Sequence, residues 1–345
     1  MPEIIDKSWD IAEAEFPTTG TAAQKLRFCL NYAVLAPSGR NAQPWLFNIT
    51  GDTVELYADR DRALPLVDPG DRELIMSCGT ALLHLRLALR HFGYAGTVEL
   101  FPQFDNEDLL ARIALGGRVQ ETPQERTLFD MIQRRGTNRL PFDDVPVPDH
   151  VLHGLQAMAQ EEGAWLHPVN SEDARLLVAD LIEAGDRIQW ATKQVRYQLA
   201  KWIHPPGVMS SDGIPGNAYE SNDPLSYLEP QVIRQVNLGA EQAVQHRQHA
   251  LTSPVLAVLG TEADTARDWL AAGQALEKVL LGACAAGVSA SFFNQPLQVS
   301  ALRPLLHDVL SRTLGLNGFS QLIFRMGYGS AEQHTPRRTV DEVLL

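Results

Sequence analysis

Three stretches of the 345-residue chain gather side chains able to do chemistry. Residues 36–45 read APSGRNAQPW, in which Ser38, Asn41 and Gln43 are separated by small or stiff residues. Hydroxyl and amide groups at that spacing offer both donors and acceptors, which suits the mixed hydrogen-bonding edge of a flavin or a base. The same stretch also reads as a helix stop followed by an ordinary turn. Residues 134–139, RRGTNR, place Arg134, Arg135 and Arg139 around Gly136, Thr137 and Asn138. Forked guanidinium donors match phosphate oxygens, and a glycine lets backbone approach closely. A solvated basic turn answered by Asp143 and Asp144 is the plainer reading. The tail at 335–343, TPRRTVDEV, carries Arg337 and Arg338; it is either a frayed end or a docked segment held by Val340, Val343 and Leu344.

Other titratable groups carry less. His246 and His249 stand one helical turn apart, but no carboxylate or cysteine motif accompanies them, so they read as a solvated helix face and no metal is expected. His84 and His91 share a helix at seven-residue spacing and read as one packed face. The acidic run 105–108 lacks the spacing of a calcium loop. Cys29, Cys78 and Cys284 lie far apart without CxxC spacing, which suggests neither a disulfide framework nor a thiolate metal site.

The elements that must position these groups follow from periodicity and breakers. Apolar residues at helical spacing fill 21–36 until Pro37 stops them, and a hairpin is expected from 45–49 and 54–57 around Gly51 and Asp52. A strongly apolar helix over 72–92 ends at Gly93, and strands follow at 97–101 and 110–115. Helices are expected at 124–134, 148–160, 171–203 and 265–286, with strands at 255–259 and 321–326. Helices mixed with short strands point to an α+β fold. Between 204 and 231 the Pro/Gly-rich HPPGVMSSDGIPGNAYESNDPLSYLEPQ is too long for a plain connection and reads as a lid or a disordered excursion.

With 29 basic against 42 acidic residues the net charge is -13, which repels a polyphosphate backbone, so nucleic acid is not an expected partner. The acidic start has no secretory pattern and no apolar run reaches a bilayer's width; a cytoplasmic, membrane-free protein is expected. A shift of 194 residues aligns GTALLHLRLALRHFG (79–93) with GQALEKVLLGACAAG (273–287), matching Gly79 with Gly273, Ala81 with Ala275, Leu82 with Leu276, Leu87 with Leu281 and Gly93 with Gly287. That self-similarity implies two halves, 1–120 and 121–345.

The three segments, in this order, resemble the nitroreductase superfamily, and more closely its Acg-like branch. APSGRNAQPW, residues 59–89, RRGTNRLPF, SASFFNQPL and GYGSAEQHTPRRTVDEVL carry the resemblance. It implies a nitroreductase-like fold with helices around mostly antiparallel sheets, two fused half-domains standing in for the usual homodimer, and one FMN between them. A monomer then suffices. The resemblance places Arg134, Arg135, Thr137 and Arg139 on the phosphate, ribityl chain and pyrimidine edge, with Asn138 nearby and Arg337 or Arg338 completing the phosphate clamp. Gly136 stands where the family has a serine, and Thr137 is its candidate replacement. Ser38, Asn41 and Gln43 would come from the other half, and Ser289, Ala290, Ser291 and Phe292 would lie against the ring. Phe292 and Phe293 either stack on the flavin or fill the core.

The implied activity passes electrons from NAD(P)H to a nitro compound, quinone or similar small acceptor. Arg139 is the candidate stabiliser of the reduced flavin's N1/O2 edge, and no side-chain acid or nucleophile is demanded. The 204–231 segment, with Tyr219 and Tyr227 as candidate covers, raises a second reading: a protein that binds or sequesters FMN with little turnover.

Overall fold

The computed structural model describes residues 7–205, 208, 210–216, 224–329 and 334–345. Helix α1 (Ala22–Ala33) starts at a capping box in which Thr21 and Gln24 satisfy each other's backbone N–H, and it buries Leu26, Cys29, Leu30 and Ala33. The hairpin β1 (Trp45–Thr50) and β2 (Thr53–Ala58) turns at Gly51, whose φ of 64° suits a residue without a side chain. Helix α2 (Arg72–His91) is buried along almost its whole length and ends where Gly93 enters the left-handed region. Strands β3 (Tyr94–Leu100) and β4 (Leu109–Arg118) complete a four-stranded antiparallel sheet in the order β1-β2-β4-β3.

After α3 (Pro123–Met131) and α4 (Asp149–Glu161) comes β5 (Trp165–Pro168), then α5 (Glu172–Ala191) and α6 (Lys193–Lys201). The single helix expected over 171–203 is two. Thr192 is extended, with ψ of 109°, and its hydroxyl donates to the Ile188 carbonyl, so the chain turns. That turn lets α6 pack Leu199 and Ala200 against Trp190, Ile203, Leu225 and Ile233, a small separate core. Strands β6 (Ile203–His204) and β7 (Ile214–Pro215) pair in parallel, and α7 (Pro230–Gln235) and α8 (Gly239–Thr252) follow. Then come β8 (Val255–Thr261), α9 (Ala266–Ala285), β9 (Ser289–Phe292), α10 (Gln295–Gln298), α11 (Arg303–Leu314), β10 (Phe319–Gly327) and α12 (Val340–Val343).

The second sheet is antiparallel in the order β5-β8-β10-β9. Counted from its own first strand, it has the same order as the first sheet, first-second-fourth-third, and in both the long central helix joins second strand to third. They differ in two connections. Residues 101–108 join β3 to β4 without a helix, whereas α10 and α11 lie between β9 and β10. A tight turn at residues 51–52 joins the first two strands of one sheet, whereas α5 to α8 lie between β5 and β8 of the other.

Helices α2 and α9 cross at the centre, backbone against backbone. A side chain on Gly79 would meet the Leu270 carbonyl and one on Gly273 the Met76 carbonyl, so only glycine permits this approach. The residue-120 boundary separates the sheets, but α3 and α12 return to the first core through Leu128, Phe129, Val340 and Val343. Among the described residues, no helix is long and apolar enough to cross a membrane.

Candidate functional site

A cavity of about 270 Å³ opens beside the α2/α9 crossing, just below the ~300–1,000 Å³ usual for small-molecule sites. Its first wall is Pro37 to Arg40 with Glu73, Met76, Ser77 and Thr80 of α2. Thr80 Oγ1 donates to the Pro37 carbonyl at 2.7 Å, and the Gly39 amide donates to Ser77 Oγ at 3.3 Å. The loop is strained: Arg40, Asn41 and Gln43 all have φ between 52° and 55°, each costing about 1–3 kcal/mol. Buried hydrogen bonds impose that shape. Arg337 donates to Asn41 Oδ1 at 2.8 Å, the Arg338 amide to Gln43 Oε1 at 2.8 Å, and Asn41 Nδ2 to the Pro336 carbonyl at 2.9 Å.

The second wall comes from the other half. The arm lies along β9 through a parallel bridge of Thr137 to Ala290, with the Asn138 amide donating to the Ala290 carbonyl at 3.0 Å. This turns Thr137, Arg139, Ser291 and Phe292 to the cavity. Arg325, 1% exposed and also on the wall, donates to the carbonyls of Arg139 and Leu140 at 2.8 and 2.9 Å and lies over the Phe142 ring.

The third wall is the excursion between β5 and β8. Trp190, Leu199, Ile214 and Leu225 face the cavity, as do Asp186, His246 and His249. It is tied down on the strained loop. Asn41 Nδ2 donates to the Gly213 carbonyl at 2.8 Å, Gln43 Nε2 to the Ser211 carbonyl at 2.7 Å, and Arg62 to Asp212 at 2.7 Å. Of the 204–231 segment, Ile214 and Leu225 reach the cavity wall. Tyr219 lies outside the described residues, and Tyr227 is largely exposed and off the cavity wall.

Of the residues singled out from the sequence, Ser38, Thr137, Arg139, Ser291 and Phe292 line the cavity. Asn41, Gln43, Arg337 and Arg338 stand behind it, bonded to one another. The tail arginines therefore brace the loop instead of lining the wall, because buried guanidinium groups are satisfied there by carbonyls of Leu35, Gln43 and Glu342. Asn138 fastens the arm, and Ser289 and Ala290 pair with Gly327 and Met326. Arg134 is exposed. Arg135 is buried in the helix seam, its Nε 3.3 Å from Glu277, which also holds His84 Nε2 at 2.7 Å. Phe293 is buried in the core and also borders the cavity, while Phe292 stays half-buried on its wall.

His246 and His249 correct the sequence reading: they face the cavity instead of solvent. His246 and Gln242 lie one turn apart on a face pressed against α5, and both reach the cavity wall. Burial, with Arg325 and His246 beside it, pushes His249 down to about 4. Glu73 was missed altogether. Burial pushes its carboxyl up to about 7, against the pull of Arg72, while Gln298 Nε2 donates to both its oxygens at 3.1 and 2.9 Å. A lone carboxylate inside the apolar stripe of α2 was the available signal. Among the described residues, no group of three or more His, Cys, Asp or Glu is placed to hold a metal.

No family model matches the chain. Among curated proteins it is similar to one of Mycobacterium tuberculosis named "Putative NAD(P)H nitroreductase Rv3131", 29% identical over 93% of this chain and 91% of that one. It is also similar to "Putative NAD(P)H nitroreductase acg" of the same organism, 27% identical over 95% and 97%. Each similarity runs over nearly the whole length of both chains. A solved FMN and NADPH-dependent nitroreductase, NfnB of a Sphigopyxis strain, overlays on 63% of this chain and 96% of its own with a TM-score of 0.41 at 16% identity. That overlay is too loose to carry argument.

Proposed function

We propose that the cavity holds one FMN between two degenerate halves, and that the protein passes electrons from NAD(P)H to a small nitro, quinone or similar acceptor. The observation that carries this reading is the origin of the walls: Ser38 to Arg40 and α2 from one half, Thr137, Arg139 and β9 from the other. The shared strand order and the reciprocal Gly79 and Gly273 contacts support the duplication. One fused chain then supplies both sides of a site that two subunits would otherwise share, so a monomer suffices.

The wall chemistry fits a flavin. Apolar faces from Phe292, Leu276 and Met76 alternate with Ser38, Thr137 and Ser291, a mixture suited to a flat ring with donors and acceptors on its edge. Arg40 and Arg139 are the guanidinium groups on the loop and the arm, and the phosphate role passes to them from Arg134, Arg135, Arg337 and Arg338, which sit elsewhere. Bound there, the flavin would supply the two-electron chemistry. Arg139 would favour negative charge at the ring edge, and the Trp190, Ile214 and Leu225 cover would keep water out.

The cover also supports a second reading, an FMN-sequestering protein, because three hydrogen bonds from Asn41, Gln43 and Arg62 tie it over the site. The visible spectrum of the purified protein tests flavin binding; no bound or reconstitutable FMN refutes both readings. Anaerobic mixing with NADH and NADPH then separates them. An enzyme bleaches, whereas a sequestering protein stays oxidised.

A further inference from the structure

Helix α6, KQVRYQLAK, carries Lys193, Arg196 and Lys201, and α7, PQVIRQ, carries Arg234; neither helix contains a carboxylate. Both are thus purely cationic on a chain whose net charge is -13. The two helices pack together through Leu199, Ala200 and Ile233. Lys193 and Arg234 converge on the Tyr197 ring, with Nζ at 5.7 Å and Cζ at 5.6 Å from its centroid. Arg196 is held by carbonyls, donating through Nε to Arg234 at 3.4 Å and through Nη1 to Ala191 at 3.3 Å. Carbonyls orient a guanidinium without cancelling its charge. Among the described residues, no carboxylate stands within ion-pair distance of these four cations, and Arg234 Nε is buried with no hydrogen-bond partner. The carboxylates of α5 next to them are engaged elsewhere, Glu183 by Arg187 and Arg247 and Asp186 by His246. Like charges gathered in this way repel one another, and a bound anion removes that cost. The patch adjoins the cavity: Val195, Arg196 and Leu199 line its wall, and Tyr197, 47% exposed, stands beside them on the same helix.

We propose that this patch holds the adenosine 2′-phosphate of NADPH, so that the protein prefers NADPH to NADH as its electron donor. The inference rests on the electron-transfer reading above. A phosphate monoester carries about two negative charges, and its oxygens match the forked donors of Arg196 and Arg234 and the ammonium of Lys193. Tyr197 offers the purine an aromatic surface beside them. The nicotinamide end enters the cavity past Arg196, and the adenosine end stays outside on the cover. NADH has a hydroxyl in place of the phosphate and gains none of these ion pairs, so discrimination between the two donors falls on the cations.

The test titrates the FMN-loaded full chain by calorimetry, without turnover, using adenosine 2′,5′-bisphosphate, adenosine 5′-monophosphate and inorganic phosphate. The bisphosphate should bind roughly tenfold more tightly than the monophosphate, and Lys193→Ala or Arg234→Gln should bring the two affinities together. Lys193 is exposed, so its replacement keeps the test free of folding effects. In steady state the ratio of kcat/KM for NADPH over NADH should fall in each variant by the factor that the titration shows. Equal affinities for the two nucleotides in the unmutated chain, inorganic phosphate that competes as well as the bisphosphate, or a preference unmoved by either variant overturns this proposal alone. A flavin bleached by neither NADPH nor NADH overturns it together with the electron-transfer reading.

Discussion

Replacing one hydrogen by a methyl group should have opposite effects at two helical glycines. At Gly273 in α9 the added carbon would stand 2.0 Å from the Met76 carbonyl oxygen and 2.7 Å from its carbon. Ordinary contact is about 1.4 Å further out, and the obstacle is backbone, which has no rotamer to escape into. Helices α2 and α9 must part, and that stretches the wholly buried His84 to Glu277 contact at 2.7 Å and the Arg86 to Gln274 hydrogen bond at 2.7 Å across the same seam. Overpacking costs about 1–3 kcal/mol and more when backbone has to move; alanine's better helix propensity returns about 1 kcal/mol. With the backbone clash placing the cost at the top of that range, a net loss of about 2 kcal/mol is expected for Gly273→Ala, with weaker FMN retention because Met76 and Leu276 of the same helices line the cavity. Gly154 in α4 has nothing within 4 Å of the added carbon. There, Gly154→Ala should gain about 0.5–1 kcal/mol. Urea unfolding followed by circular dichroism measures both. A Gly273→Ala protein as stable as the parent would refute the close-packed seam.

Three further perturbations follow from the site. Glu73 is raised from 4.5 to about 7 by burial; the folded state therefore binds the extra proton between those values, and wild-type stability falls as pH rises through that window. Glu73→Gln removes this term, so its advantage should grow to the order of 3 kcal/mol by pH 8, and parallel stability curves would contradict it. Arg139→Ala should raise the FMN dissociation constant at least tenfold, about 1.4 kcal/mol; unchanged affinity by fluorescence titration removes Arg139 from the site. Burial alone would raise Asp212, but hydrogen bonds from Arg62 and Ser210 hold it below the usual carboxylate range. Asp212→Asn should loosen the cover, giving severalfold faster proteolysis near residues 205–216 while global unfolding barely moves; equal cleavage rates would show that the Arg62 contact does not hold it.

Most elements were legible because their signals are local. Capping boxes at Thr21 and Thr265, glycines with positive φ at 51, 93 and 287, and the period of buried residues in α2 all act within a few residues. The break at Thr192 was not legible, since helical periodicity continues on both sides and the turn is decided by what α6 packs against. The roles of single residues divided in the same way. Arm and loop were recognisable as chemistry-bearing stretches, but whether a given arginine faces the cavity depends on groups far along the chain. Arg337 finds Asn41 and Leu35 roughly 300 residues away, a contact that sets its position and that no local signal carries.

By itself, then, the sequence determined the α+β class, the two matching glycine-marked helices and the stretches rich in amide, hydroxyl and guanidinium groups. Those follow from local propensity and from side-chain chemistry that does not depend on packing. Tertiary structure alone decided that the two glycines meet, that the excursion after β5 closes over the cavity, and that Asp186 and His246 stand together on its wall. Each is a contact between distant segments, selected by which surfaces bury well together.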